Sequence, residues 1–507
     1  MIEALKKIGE LVLKEEFNLS NLDEDFWENQ AFRSIYLISE EAFNFDYFNN
    51  QVENELEKPY MIYILLETTE EISEAKYEGI ELKEAFQKDN NKWIRKEAVG
   101  GVYYSPTIPV KISTKRANIL KNVDKSIKTL IGTLKIKTKE KKYYLEEIYN
   151  YILKIFQTLK SNKSKINDEI TDLIIKTFLE PSISQKKINI IISLKVNNQT
   201  LKENNYINKY LFHKFILKTF KTPDAFNQQG EVNWINSDES MRCALCSREN
   251  QNITTEYKPY TFYSKDKRSY NTNSNFSTSG NMFPIDIQCA YLVEIGKCYV
   301  DMNYEFKIGG YSFKLVPKIL FPVSAEYEKK ILDLRINYKK LMKKESRTNF
   351  VKQEDFLFSI LEDFKNTVNF DMIFYEKNQA EFKILLHIKD VAPSRIKKIH
   401  DAFKESRKMG NTYRNYGNLI SFYSIKRFFS RYEGSDIKFY DEEFLEMLDI
   451  IFSGKNIKKI HLLSSFYSNL KNKIFKSEKE PYQARETEIH AALLIFEVLK
   501  QLEILNW

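Results

Sequence analysis

Cysteine is scarce in this chain: there are four in 507 residues. So few exclude a disulfide scaffold and point to a reducing compartment, the cytoplasm. Histidine is nearly as rare, with five. No GxxxxGK[ST] loop, GxSxG elbow or HExxH pair occurs, so the recognisable catalytic constellations are missing. No uncharged apolar run is long enough to span a bilayer, which argues against a membrane partner. Residues 1–14 read as an amphipathic helix with Ile2, Leu5, Ile8 and Val12 on one face. The acidic residues among them argue against a signal peptide. There is no internal repeat and no low-complexity segment. The charge is almost balanced, 78 basic against 70 acidic residues for a net +8, so its distribution matters more than its sum.

What is present is a pair of cysteine motifs. Met241-Arg-Cys-Ala-Leu-Cys246 carries a CxxC turn, and Phe283-Pro-Ile-Asp-Ile-Gln-Cys289 carries DxxC. A CxxC turn aims two thiolates at one centre, and a structural zinc takes four ligands in a tetrahedron. Cys243, Cys246 and Cys289 supply three. Asp286 stands where a second CxxC would start, and Cys298 is the other candidate for the fourth. The bland alternative is four free thiols in a reducing compartment.

Between the two motifs lies a polar loop, residues 264–281. Lys265, Lys267 and Arg268 can contact phosphates, and Asn271, Asn273 and Asn275 can donate and accept at base edges. The alternative is a solvated loop, since Asn and Ser are also turn residues. A second basic concentration runs over residues 111–165, with Lys115, Arg116 and Lys121 at its start. Its length and single sign suit nucleic-acid contact, although a charge run is more often a solvated face.

The residues predict an α+β body followed by helices. Continuous apolar runs at Tyr60–Leu66 and Ile188–Val196 read as buried strands, and Gly101–Pro106 as another. Residues 302–308 and 311–316 flank Gly309-Gly310 as a hairpin, with Pro317 ending its second strand. Phe370–Tyr375 and Glu381–Ile388 form a further strand pair. Pro393 sits in the first turn of a helix, and beyond it helical periodicity dominates. The expected organisation is an α+β domain over 1–240, a zinc-ribbon-like insertion over 241–300, a continuation of the α+β domain over 301–389, and an all-α C-terminal bundle over 390–507. In that bundle Phe422, Ile425 and Phe429 turn inward, while Arg414, Lys426, Arg427 and Arg431 line one helical face. His400-Asp401 is an HD dipeptide with no companion motif, so an accidental pair on a surface helix is the better reading.

Four stretches together resemble a known family. They are residues 1–9, Cys243-Ala-Leu-Cys246 leading into 261–267, residues 284–296, and Val391-Ala-Pro-Ser-Arg-Ile-Lys-Lys-Ile399. In content and order the chain resembles the large subunit of the type I-B CRISPR surveillance complex, Cascade. That family's pattern has cysteine at the position of Asp286. The resemblance implies a non-catalytic, zinc-containing subunit that binds DNA and RNA in antiviral defence. It implies partnership with CRISPR RNA, target double-stranded DNA, backbone and small subunits, and a separate helicase–nuclease. Such a subunit reads the protospacer-adjacent motif (PAM) and helps open the duplex, while base pairing reads the rest. Its C-terminal region resembles the small subunit, which some relatives also make from an internal start. Met372 would be such a start, but it lies inside an expected strand. The rival readings are a stand-alone zinc-ribbon nucleic-acid-binding protein, or a degenerate metal-dependent nuclease retaining His400 and Asp401.

Overall fold

The computed structural model describes residues 1–38, 60–69, 74–84, 106–111, 116–137, 141, 144–178, 189–201, 203–219, 241–250, 253–254, 257, 259–260, 284–334, 350–364, 366–378, 381–412, 420–433, 436–439, 441–476 and 481–506. They divide into two compact units. The first is Leu13–Pro259 with Ser264–Tyr299, and the second is Val300–Trp507 with Met1–Val12 and Tyr260–Tyr263. Helix α1 (Ile2–Phe17) contributes residues to both, and the short α2 (Glu24–Asn29) follows it in the first unit.

The first unit is built on a mixed sheet. Its strands are β1 (Tyr60–Thr68), β2 (Ala75–Glu84), β3 (Ile108–Lys111), β4 (Asn189–Val196) and the short β5 (Gln199–Thr200), in the order β2-β1-β4-β3 with β5 on β4. The central pair, β1 and β4, is parallel, with Ile62 opposite Ile192. A strand paired on both sides and covered on both faces has no polar face to show, which explains the unbroken apolar runs. Met61, Ile62, Ile64, Ile191, Ile192 and Leu194 are all at most 1 % exposed. Three helices follow β3: α3 (Arg116–Thr133), α4 (Glu146–Ser161) and α5 (Lys163–Phe178). In α3 the buried residues Ile119, Val123, Ile127 and Leu130 recur at helical spacing, and this stripe packs on β3 and α5. Its basic residues point the other way. Helix α6 (Asn205–Thr219) packs on α4 and on the 3-10 helix Ala31–Ile38, and the Asn204 side chain caps its start by accepting the Ile207 N–H at 3.0 Å.

The unit ends with β6 (Met241–Arg242), β7 (Glu249–Asn250), β8 (Ile253–Thr254), β9 (Ile285–Asp286) and helix α7 (Ile287–Asn303), whose last residues from Val300 belong to the second unit. This departs from a zinc ribbon. The first motif lies on a hairpin, but the second opens a 17-residue helix. Ile287, Tyr291, Leu292, Ile295 and Val300 form a helical apolar pattern that the nearby cysteines obscured in the sequence.

The second unit carries an antiparallel meander of β10 (Glu305–Ile308), β11 (Tyr311–Ile319), β12 (Val368–Asn378) and β13 (Glu381–Val391). The Gly309-Gly310 hairpin forms as expected, with φ of 57° and 85°, values at which a side chain is strained. Pro317 does not end its strand. It pairs with Phe370 inside β11, beyond the reach of β10, where no ladder bond is asked of its missing N–H. Met372 lies within β12 and is 1 % exposed.

Helices α8 (Ala325–Leu332), α9 (Phe350–Glu362), α10 (Pro393–Thr412), α11 (Phe422–Phe428), α12 (Asp441–Ser453), α13 (Lys459–Lys476) and α14 (Pro481–Gln501) complete the unit. Phe422 is stacked on Phe403 at 4.7 Å and on Phe452 at 5.5 Å, and it meets Phe358 edge-on at 5.9 Å. Two expectations change here. Residues 390–507 do not stand apart, because α12 packs on β13 and the whole of Val300–Trp507 is one unit. They are not all helical either, since β14 (Ser430–Glu433) and β15 (Asp436–Phe439) pair as a hairpin across residues 434–435. A two-residue connection beginning with Gly434 is a hairpin signal, but four-residue runs rich in polar residues hid it. Another two-residue bridge joins β16 (Ile457–Lys458) to β17 (Leu505–Asn506).

Candidate metal centre

The first cysteine motif is shaped by its backbone. Strands β6 and β7 bring the chain back on itself, and the Cys243 N–H donates to the Arg248 carbonyl at 3.0 Å. The Ser247 N–H closes the turn on the Cys243 carbonyl at 2.9 Å, with Ser247 at a φ of 58°. Two backbone N–H groups then point at one sulfur. Those of Leu245 and Asp286 lie 3.4 Å and 3.3 Å from Cys243 Sγ. On Cys246 the donor is a charged side chain, Arg248 Nε, at 3.4 Å from Sγ. Such donors stabilise sulfur in its anionic form, the form that ligates metal.

The second motif arrives through a helix N-terminus. Asp286 Oδ1 accepts the N–H of Gln288 at 2.8 Å and of Cys289 at 3.3 Å, so its side chain caps α7. Cys289 therefore sits in the first turn, at the positive end of the helix. The register of α7 is held by Tyr291, which is fully buried. Its ring meets Phe212 at 5.1 Å, Phe215 at 6.0 Å and Trp27 at 6.1 Å, and its hydroxyl lies 2.8 Å from Ser34 Oγ. Three turns of local structure thus converge on the cysteines. The Ala244 N–H donates to the Pro284 carbonyl at 2.8 Å, tying the two motifs directly together.

The Sγ atoms of Cys243, Cys246 and Cys289 all lie within 4.8 Å of one another. Two thiolates sharing a tetrahedral zinc stand about 3.8 Å apart, so small rotations let all three reach one ion. Cys243 and Cys289 are buried and Cys246 is half-buried. Burial raises the Cys246 thiol pKa, but the side-chain and backbone hydrogen bonds of Arg248 outweigh it and bring it below the ordinary value. Three close thiols with amide and guanidinium donors are compatible with zinc. Asp286 is fully buried beside this group, but its carboxylate is not among the atoms that converge. Cys298 is excluded geometrically: it lies about 13 Å further along α7, where its thiol faces Glu294 Oε1 at 3.8 Å.

Sequence reasoning missed Arg248, Gln288 and Tyr291. Arg248 had a signal, a cation two residues after a cysteine, whereas Tyr291 needed its distant aromatic partners. Lys265, Lys267, Arg268, Asn271, Asn273, Asn275, Lys115 and Arg414 lie outside the described residues. Arg116 and Lys121 are exposed on α3, where Arg116 Nη2 pairs with Asp172 at 3.2 Å. Nearby, Lys128 and Lys163 lie 2.6 Å and 2.7 Å from Asp124 oxygens and hold that carboxyl at about 2. Part of the basic run is thus answered locally by acids.

The expected basic face of the C-terminal region is not a single helical face. Arg431 is on β14 opposite Lys438, and Lys426 Nζ lies 3.9 Å from the centre of the Tyr311 ring, a cation–π contact. Arg427 is exposed at the end of α11. The HD dipeptide also comes apart in space, because neighbours in a helix do not face each other. His400 is 1 % exposed with Nδ1 at 2.9 Å from Glu362 Oε2, while Asp401 is exposed.

Residues 240–391 match the family model of the central domain of the CRISPR-associated protein TM1802. The match covers under a third of the chain. It starts just before Cys243 and ends at the last residue of β13. It indicates a Cas-type domain and supports a CRISPR-associated role. No curated protein matches the chain. Among the described residues, no helix is long and apolar enough to cross a membrane.

Proposed function

We propose that this chain is the non-catalytic large subunit of a type I-B RNA-guided surveillance complex. In this reading it reads the adjacent motif in duplex DNA, aids opening of the duplex and recruits a separate helicase–nuclease in the cytoplasm. Its partners are CRISPR RNA, target double-stranded DNA, and the backbone and small subunits. The observation that carries the reading is the match to a CRISPR-associated central domain over the segment that holds both cysteine motifs. Zinc at Cys243, Cys246 and Cys289 would act structurally, joining the hairpin to the start of α7 and anchoring both ends of residues 247–285. A loop anchored at both ends loses less entropy on docking than a free one. Lys265, Lys267 and Arg268 would hold phosphates there, and Asn271, Asn273 and Asn275 would face base edges. Arg116, Lys121 and Arg427 would add non-specific affinity that weakens with salt.

The test is reconstitution. The chain should co-purify with the backbone subunits and CRISPR RNA, and omitting it should abolish binding to target duplex but spare binding to complementary single strands. Replacing Asn271, Asn273 and Asn275 together by alanine should weaken binding to motif-bearing duplex by at least about tenfold, which is ~1.4 kcal/mol. Duplex lacking the motif should be bound as before. Failure to co-purify would leave the stand-alone zinc-ribbon reading. Metal-dependent DNA cleavage lost in His400→Ala would establish the nuclease instead.

A further inference from the structure

We propose that the Cys243–Cys246–Cys289 centre completes its metal with an exchangeable oxygen donor, and that Asp286 positions the thiolates without ligating. The proposal rests on the zinc reading above and concerns only the fourth position.

The sequence removes the sulfur and nitrogen alternatives. Cys298 is two and a half turns too far along α7. Of the five histidines, His213 is on α6, its ring 6.1 Å from that of Tyr144, and among the described residues no histidine nitrogen joins the three sulfurs. The fourth donor is therefore oxygen. Asp286 and Glu249 each lie three residues from a cysteine; Glu249 pairs with Arg242 at 3.1 Å, and the structure gives Asp286 other work. Its Oδ1 caps α7 through two N–H groups, and its own N–H donates to Cys243 Sγ. Both contacts orient ligands, one on each motif. Its carboxylate stays outside the group of atoms that lie within 4.8 Å of one another.

Charge points the same way. Three thiolates on a dication leave one negative charge, and Arg248 beside Cys246 offsets it. A carboxylate beyond the already buried Asp286 would add a further negative charge to a centre whose other sides are buried, and unpaired buried charge is costly. A neutral oxygen such as water adds none. Cys246 is half-buried, so solvent reaches the centre on its side. A closed structural zinc has four protein ligands, and one with three admits donors from outside.

Cobalt substituted for zinc in the full-length chain gives the test, because its visible absorption reports the ligand set. Imidazole should shift the bands in a saturable way. Asp286→Asn and Asp286→Ser, both good helix caps without a carboxylate, should leave the bands and the imidazole response unchanged. Asp286→Cys should supply a fourth thiolate, shift the bands, remove the imidazole response and slow metal transfer to a chelator at least tenfold. Bands that change in both capping variants before imidazole is added would make Asp286 the ligand. Wild-type bands that imidazole never moves would mean a sealed site. Either result overturns the proposal and leaves the zinc reading standing, whereas protein that binds neither zinc nor cobalt overturns both.

Discussion

The cysteine centre of the first unit and the Gly309-Gly310 turn of the second solve one problem with different chemistry. Each is a tight turn tied to distant sequence by a hydrogen bond between a backbone N–H and a side chain. At the centre the acceptor is Cys243 Sγ, which takes the Asp286 N–H. At the hairpin it is Glu354 on α9, which accepts the Gly309 N–H at 3.3 Å and the Phe422 N–H at 2.9 Å. The settings differ. The centre is framed by strands of two residues each, too short to hold themselves, so its cohesion rests on the hydrogen bonds to Cys243 Sγ, on Tyr291 and, in the proposed reading, on zinc. The hairpin lies in a four-stranded meander and packs against Phe444, whose ring stacks on Tyr311 at 5.8 Å. In that reading one turn needs a ligand and the other needs a fit.

The largest expected effect follows from that contrast. Cys243→Ser removes the sulfur that accepts two amides and leaves a two-cysteine site. Bound zinc should fall from close to one per chain to a small fraction, and the first unit should lose on the order of 4 kcal/mol or more. Zinc analysis and thermal unfolding measure both. Unchanged unfolding in metal-free protein would mean that the centre is held like the hairpin, by packing alone.

Gly309→Ala tests the other side. A Cβ there would overlap the Phe444 ring, and its φ of 57° penalises any side chain. Left-handed strain and overpacking together should cost about 2–4 kcal/mol. At Gly310 a Cβ meets open space, although φ is 85°. Gly310→Ala should therefore cost only about 1–2 kcal/mol. Equal losses in denaturant unfolding would show that the fit to Phe444 contributes nothing.

Much of the fold was legible from periodicity. The runs at Tyr60 and Ile188 became the central strands, the Gly-Gly pair became a hairpin, and Pro393 opened α10. The cysteines were legible as a cluster because CxxC spacing is itself geometry. Helix α7 was not legible, since the motif that begins it looked like half of a ribbon. The buried carboxylates escaped for a related reason. Nothing in residues 350–362 marks Glu354 as different from its neighbour Asp355, because its role is set by Gly309 and Phe422, far away in sequence. Tertiary partners, unlike periods and turns, are not written locally.

Glu354 also gives the smallest and most specific expectation, a dependence on pH. Burial raises its carboxyl to about 7, although the N–H groups of Phe422 and Gly309 and the charge of Arg407 oppose the rise and Asp355 adds to it. In the unfolded chain a glutamate titrates near ~4.3. Below that value both states carry the proton, and the contribution to stability is fully present. Between about 4.3 and 7 the folded state keeps a proton that the unfolded state has released, so stability falls as pH rises, by at most ~1.4 kcal/mol per unit. Above that window both states are ionised and the contribution is gone. Glu354→Gln cannot titrate, so its loss relative to wild type should shrink from pH 5 to about pH 7 and level off above it. Because the difference between the two proteins is what is read, carboxylates that titrate lower, such as Asp124, cancel. Parallel stability curves across that range would mean that Glu354 is already ionised when buried. The hairpin would then be held by a charge, as the cysteine centre would be with zinc bound, and the contrast between the two turns would collapse.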